Sequence, residues 1–111
     1  MTQICPWPLG NGKYLEFEVV ANINNYSSTW NNVPGLYIFA FLLQGNTWYP
    51  LYVGQTDDFS SRLPSHERLL EAIQRGATHI HAVHIPQKIN RNRLEQMLIQ
   101  RLQPPLNTHH R

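Results

Sequence analysis

Two apolar runs, Leu36–Leu43 and Trp48–Gly54, are separated only by Gln44-Gly45-Asn46-Thr47. A linker this short cannot carry a crossover, so the runs must lie antiparallel as a hairpin. If Leu43 sits opposite Trp48, paired numbers sum to 91 and Phe39 faces Tyr52. Tyr37 and Tyr52 then become diagonal neighbours on one face, within reach of each other's rings. A register shifted by two residues sets them directly opposite. On either pairing the two tyrosines share a face.

The rest of the chain reads as elements around that hairpin. Tyr14–Val20 alternates with period two, Leu15, Phe17 and Val19 against Glu16 and Glu18, as a half-buried strand does. Asn22–Asn32 is rich in Asn and Ser, carries Tyr26 and Trp30, and reads as a loop or a short irregular helix. Pro64–Arg75 has helical spacing, with Leu69, Leu70 and Ile73 apolar, Pro64 in the first turn and Gly76 at the C-cap. A turn over Asp58–Arg62 either joins that helix or precedes it. Ala77–Ile85 alternates as a third strand, ending at Pro86. Asn90 suits the N-cap of a last helix, Arg91–Gln103, with Leu94, Met97, Leu98 and Leu102 on one stripe and Pro104-Pro105 as its stop. The predicted fold class is α/β (α+β). A small three-stranded antiparallel sheet is flanked by helices, and an extra N-terminal strand, Tyr14–Val20, extends that sheet or covers an edge.

The chain has 111 residues, which suits one domain, 1–111. A net charge of +2 with six neutral His is a weak electrostatic footprint, so charge alone does not indicate tight, sequence-independent clamping of nucleic acid. Cys5 is the only cysteine, which rules out an intrachain disulfide and fits a reducing compartment. The longest nearly apolar run, Val33–Leu43, falls far short of the roughly 20 residues of a membrane helix. No basic segment followed by an apolar stretch opens the sequence, and a cytoplasmic location is expected.

Gly35-Leu36-Tyr37 opens the first run of the hairpin and Tyr52-Val53-Gly54 closes the second. Arg62 and His66 follow, then Glu95 in the last helical pattern and Asn107 after Pro104-Pro105-Leu106. In order and spacing this set resembles the GIY-YIG nuclease superfamily, with Leu36 and Val53 in place of the usual isoleucines. The resemblance covers about Gly35 to Asn107. It implies a nuclease core over 34–108, with 1–33 as an N-terminal extension.

The resemblance implies a metal-dependent endonuclease that hydrolyses DNA phosphodiesters, duplex or branched. Glu95 would hold Mg²⁺ or Mn²⁺, and Tyr37 and Tyr52 would bind the attacking water and orient the phosphate. Arg62 would place a permanent charge beside that phosphate, while His66 would take the phenolic proton. Asn107 would hydrogen-bond active-site groups or the phosphate from outside the metal shell. The chemistry is reasonable for these residue types. A hard cation keeps several waters and needs few protein oxygens, and a phenol with a pKa near 10 needs help to act as a base. Pro64, between Arg62 and His66, bears on whether helical i,i+4 spacing can join them. Gln55 and Thr56 line the same cleft by position. A homodimer is one route to double-strand cuts.

Ordinary readings stand beside these. Strand tyrosines usually pack, a helix Glu is usually solvated, an Arg often pairs with a carboxylate, and a loop Asn often satisfies its own backbone. The main alternative is a non-catalytic nucleic-acid-binding or protein-interaction domain on the same fold. A rival constellation, His79, His81 and His84, invites a zinc reading, although no Cys or second spaced carboxylate completes it. The tail His109-His110-Arg111 is too short to read as a tag.

Overall fold

A computed structural model describes residues 3–23 and 30–107. Five strands form one antiparallel sheet: β1 (Ile4–Pro8), β2 (Tyr14–Asn22), β3 (Gly35–Leu43), β4 (Thr47–Thr56) and β5 (His79–His84), in the order β1-β2-β5-β3-β4. The helices are α1 (Phe59–Arg62), α2 (Glu67–Gln74) and α3 (Lys88–Leu102). Most of the Asn22–Asn32 stretch, including Tyr26, lies outside the described residues, as does the tail after Asn107.

The sheet has five strands where three plus one were expected. The additional strand is β1, whose alternation of buried Cys5 and Trp7 is hidden in the sequence by Pro6 and Pro8. Proline lacks the N–H an interior strand needs, and β1 is an edge strand, where that loss is tolerated. Strand β2 pairs β1 on one side and β5 on the other, so it extends the sheet rather than covering an edge.

The hairpin pairs as expected at its inner end, with Phe39 opposite Tyr52 and Gly35 opposite Thr56. Towards the tip the register slips by one, Leu43 facing Thr47 instead of Trp48. The turn is therefore the three residues Gln44-Gly45-Asn46, with Gly45 (φ 78°) and Asn46 (φ 62°) in the left-handed region. Leu51 is the extra residue at the resulting bulge, and both Leu51 and Tyr52 turn towards the same core.

That core lies between the sheet and α1/α2. It holds Tyr37, Phe39, Leu51, Ile80, Phe59, Leu63, Ala72 and Leu106, with Leu69 packed against it. The opposite face of the sheet is covered by α3, which buries Leu98 and Ile99 on Leu36, Ile38, Val53, Phe17 and Trp7. Leu70 and Ile73 of α2, expected inside, are exposed, because the helix turns Leu69 and Ala72 inward instead.

Two helix boundaries also differ from expectation. Pro64 sits in a short 3-10 turn, Leu63–Ser65, between α1 and α2, so α2 starts at Glu67 with His66 as its N-cap. Proline has no N–H to lose in that first turn, and the separate α1 is capped by Asp58, whose Oδ1 accepts from the Ser60 N–H at 2.9 Å. Helix α3 starts at Lys88 rather than Arg91, with Gln87 at the N-cap and Asn90 inside the first turn donating to Gln87 Oε1 at 2.7 Å. No helix among the described residues is long and apolar enough to cross a membrane.

Candidate active site

The start of β3 and the end of β4 lie side by side at one end of the sheet, and the two short glycine motifs meet there. A Cβ on Gly54 would stand 2.5 Å from the Tyr37 ring and hydroxyl, so only glycine lets the phenol cross β4. A Cβ on Gly35 would stand 2.1 Å from the Val83 carbonyl oxygen and 2.6 Å from Phe59, which presses on this edge from α1. The glycines are thus demanded by side-chain crossing and strand packing.

Tyr37 is 1% exposed and Tyr52 half-buried, with ring centroids 6.3 Å apart on the shared face that the pairing predicts. His66 stands over both, edge-on at 5.3 Å from Tyr37 and 5.2 Å from Tyr52. Its Nε2 lies 2.7 Å from the Tyr37 hydroxyl. Its Nδ1 accepts the Arg68 backbone N–H at 2.9 Å, the capping bond of α2. A nitrogen that accepts carries no proton, so the neutral ring bears its proton on Nε2 and donates it to the phenol oxygen. Burial, and next the Arg62 charge, hold the imidazole down to about 4 from an ordinary 6.5, so it is neutral at pH 7. His66 therefore gives a hydrogen bond to Tyr37 where the sequence reading has it take the phenolic proton.

Burial also raises both tyrosine pKa values, most for Tyr37, while Arg62 pulls in the other direction and Glu95 adds to the rise. Both phenols stay protonated at neutral pH, and Glu95 is near enough for its charge to reach each of them. The Arg62 charge acts on the Tyr37 phenol, and its guanidinium makes a two-pronged pair with Glu67, at 2.6 and 2.9 Å. Glu67, which the sequence reading passed over, holds the fork in place and is itself held at about 2 by those hydrogen bonds. Its signal was available, as a carboxylate five residues from an arginine across a helix start. Arg62 and His66 converge on one phenol without sharing a helix, so Pro64 interrupts nothing that the site needs.

Glu95 approaches from α3. The Gln55 side-chain amide donates to Glu95 Oε1 at 3.0 Å and to Asn92 Oδ1 at 2.5 Å. Thr56, by contrast, turns back on its own loop, donating to the Asp58 carbonyl and accepting the Asp58 N–H. Asn107 is buried and turns both ends of its amide to the backbone of one residue: Val53 N–H donates to Oδ1 at 2.8 Å, and Nδ2 donates to Val53 O at 2.7 Å. It clamps the backbone between Tyr52 and Gly54, using a backbone that is not its own. The neighbouring Leu106 N–H adds a bond to Leu51 O at 3.1 Å.

All six residues come from one chain, so their assembly requires no second copy. Among the described residues no three His, Cys, Asp or Glu side chains gather as a metal cage. His81 is fully buried and takes the Trp7 indole N–H, whereas His84 is exposed. The group held against Glu95 is the Gln55 amide, and Cys5 is buried in the other core. A lone carboxylate with no gathered His or Cys beside it among the described residues fits a hard divalent ion such as Mg²⁺ better than a structural zinc.

Solved structures share this architecture. The GIY-YIG N-terminal endonuclease domain of UvrC from Thermotoga maritima, bound to its catalytic magnesium, matches with a TM-score of 0.56 and 24% identity over 70% of this chain and 86% of that one. A variant of the same domain with an asparagine replaced by alanine matches with a TM-score of 0.54 and 25% identity, over 68% and 83% of the two chains. No protein-family model matches the sequence, and no curated protein matches it either. The chain therefore shares the fold of a GIY-YIG endonuclease domain.

Proposed function

We propose that this chain is a metal-dependent endonuclease that hydrolyses DNA phosphodiesters at the end of the sheet where β3, β4 and α3 meet. The observation that carries the reading is the hydrogen bond between His66 and the buried Tyr37 hydroxyl, beside Tyr52 and within electrostatic reach of Arg62 and Glu95. A purely structural tyrosine pair has no use for a hydrogen-bond donor at one hydroxyl with a guanidinium and a carboxylate in electrostatic reach. The solved UvrC domain binds magnesium as its catalytic cation, and the same use is inferred for Glu95 here.

The side chains divide the work. Tyr37 receives the His66 Nε2–H on its oxygen, so its own O–H points elsewhere and holds the attacking water or a phosphate oxygen. Tyr52 offers a second phenol to the same group. Arg62 offsets charge that builds on the phosphate, its direction fixed in advance by Glu67. Glu95 would hold the divalent ion, which supplies positive charge at the leaving oxygen and acidifies water. Asn107 acts through the β4 backbone, keeping Tyr52 and Gly54 in register.

The test is cleavage of supercoiled plasmid with Mg²⁺ or Mn²⁺ against EDTA, beside Glu95→Ala and Tyr37→Phe. The expected result is metal-dependent nicking that Glu95→Ala abolishes. No cleavage of duplex, branched or single-stranded DNA at low salt would leave a binding domain on a nuclease fold.

A further inference from the structure

Arg91 is an arginine that the catalytic reading does not use, and it is 3% exposed, a rare position for a charge. It lies in the first turn of α3, one helical turn before Glu95. Nη1 donates to the carbonyl oxygens of Ile85 and Pro86, each at 3.1 Å, and Nη2 pairs with Asp57. These partners come from the loop before α3 and the loop after β4, so the guanidinium is fixed from two sides. Its Nε then points at the Gln55 side-chain oxygen, 3.4 Å away.

We infer that Arg91 is a positioning residue that acts through Gln55 to orient Glu95 for a divalent cation. A side-chain amide has two unlike ends. With the Gln55 oxygen turned to Arg91, its nitrogen must face Glu95 Oε1 and Asn92 Oδ1, and both are acceptors. Reversing the amide would set its oxygen against a carboxylate oxygen and a second amide oxygen, which is repulsive on both counts. The arginine on one side and the two acceptors on the other favour the same amide orientation, and the amide holds one oxygen of the carboxylate. Partners at this remove from a metal commonly change its affinity 10–100-fold.

This inference rests on the metal-dependent reading above and adds its supporting layer. Its readout is Mn²⁺ affinity, followed by the electron paramagnetic resonance signal of free Mn²⁺, on the intact chain at a temperature where every variant is folded. Gln55→Ala and Arg91→Lys are each expected to weaken Mn²⁺ binding about tenfold or more. The double variant is expected to be no weaker than Gln55→Ala alone, because the arginine works through the amide. Half-buried Gln55 is the safeguard should Arg91→Lys fold poorly. An unchanged affinity in folded Gln55→Ala, or losses that multiply in the double variant, would overturn the relay. If the parent chain binds no Mn²⁺, or binds it as well in Glu95→Ala, the relay falls together with the metal reading. Parent binding that depends on Glu95 but ignores Gln55 and Arg91 removes the relay alone.

Discussion

His66 and His81 are both buried, both neutral at pH 7, and both use Nδ1 as an acceptor, from the Arg68 amide in one case and the Trp7 indole at 3.0 Å in the other. They differ at the second nitrogen. The Nε2–H of His66 reaches the Tyr37 hydroxyl. The Nε2 of His81 has no partner among the described residues, on the opposite face, where the ring stands edge-to-face with Trp48 at a centroid distance of 4.5 Å. Burying an unpaired polar N–H costs free energy, and the His81 site tolerates that cost for the sake of the Trp7 bond and tight packing. The same residue type thus serves as a wired component in one core and as a filler with one polar anchor in the other.

Acid should break both together, and this is the largest expected effect. Burial holds His66 and His81 each down to about 4, against an ordinary 6.5 in the unfolded chain. Above 6.5 neither state is protonated and the shifts cost nothing. As pH falls from 6.5 towards 4 the unfolded chain takes up protons that the folded chain refuses, so stability drops, by on the order of 3 kcal/mol per histidine near pH 4. Small domains hold roughly 5–15 kcal/mol in all, so a steep acid transition is expected in denaturant titrations across this window. His81→Phe should flatten it by about half. A stability that stays level from pH 7 to 4.5 would refute the neutral burial of both rings.

Activity separates the two histidines. His66→Ala removes the donor to Tyr37 and should slow nicking by about 100-fold, at the low end for a positioned proton-handling group. His81→Phe should leave the rate per folded molecule within about twofold. Equal losses in the two variants would show that His66 matters only for folding.

The Trp7–His81 bond gives a smaller, purely structural effect. His81→Leu strands a buried indole N–H and should cost about 1–3 kcal/mol in urea unfolding, whereas adding Trp7→Phe should recover part of it, because no donor is then left unpaired. A double variant worse than the sum of the singles would mean that packing, not the hydrogen bond, dominates that core.

The hairpin, the shared face of Tyr37 and Tyr52, and the existence of α2, α3 and β5 were legible because apolar period and turn residues encode them locally. The one-residue slip at Ala40 was not, since three-residue and four-residue turns fit the same Gln44–Thr47 string, and the bulge at Leu51 hides the difference. Strand β1 was masked by its prolines. At the site, six residues were named through the resemblance to a nuclease family, but the direction of the His66 hydrogen bond depends on its N-cap position. That position follows from where the 3-10 turn ends, which no local pattern announces. Arg91 entered the sequence reading only as the start of the last helix, because its partners are two carbonyls, an amide and Asp57, all brought in by the folded chain.

The N-cap can be tested apart from the phenol, which sharpens the contrast with His81 most finely. Asn is a good N-cap residue and Phe is not, so His66→Asn should keep about 1 kcal/mol of α2 stability that His66→Phe loses. The shorter Asn side chain that accepts the Arg68 N–H cannot also reach the Tyr37 oxygen, so both variants should nick slowly despite their different stabilities. If His66→Asn were stable and fully active, the imidazole would be serving only as a cap, and His66 would join His81 as a structural residue.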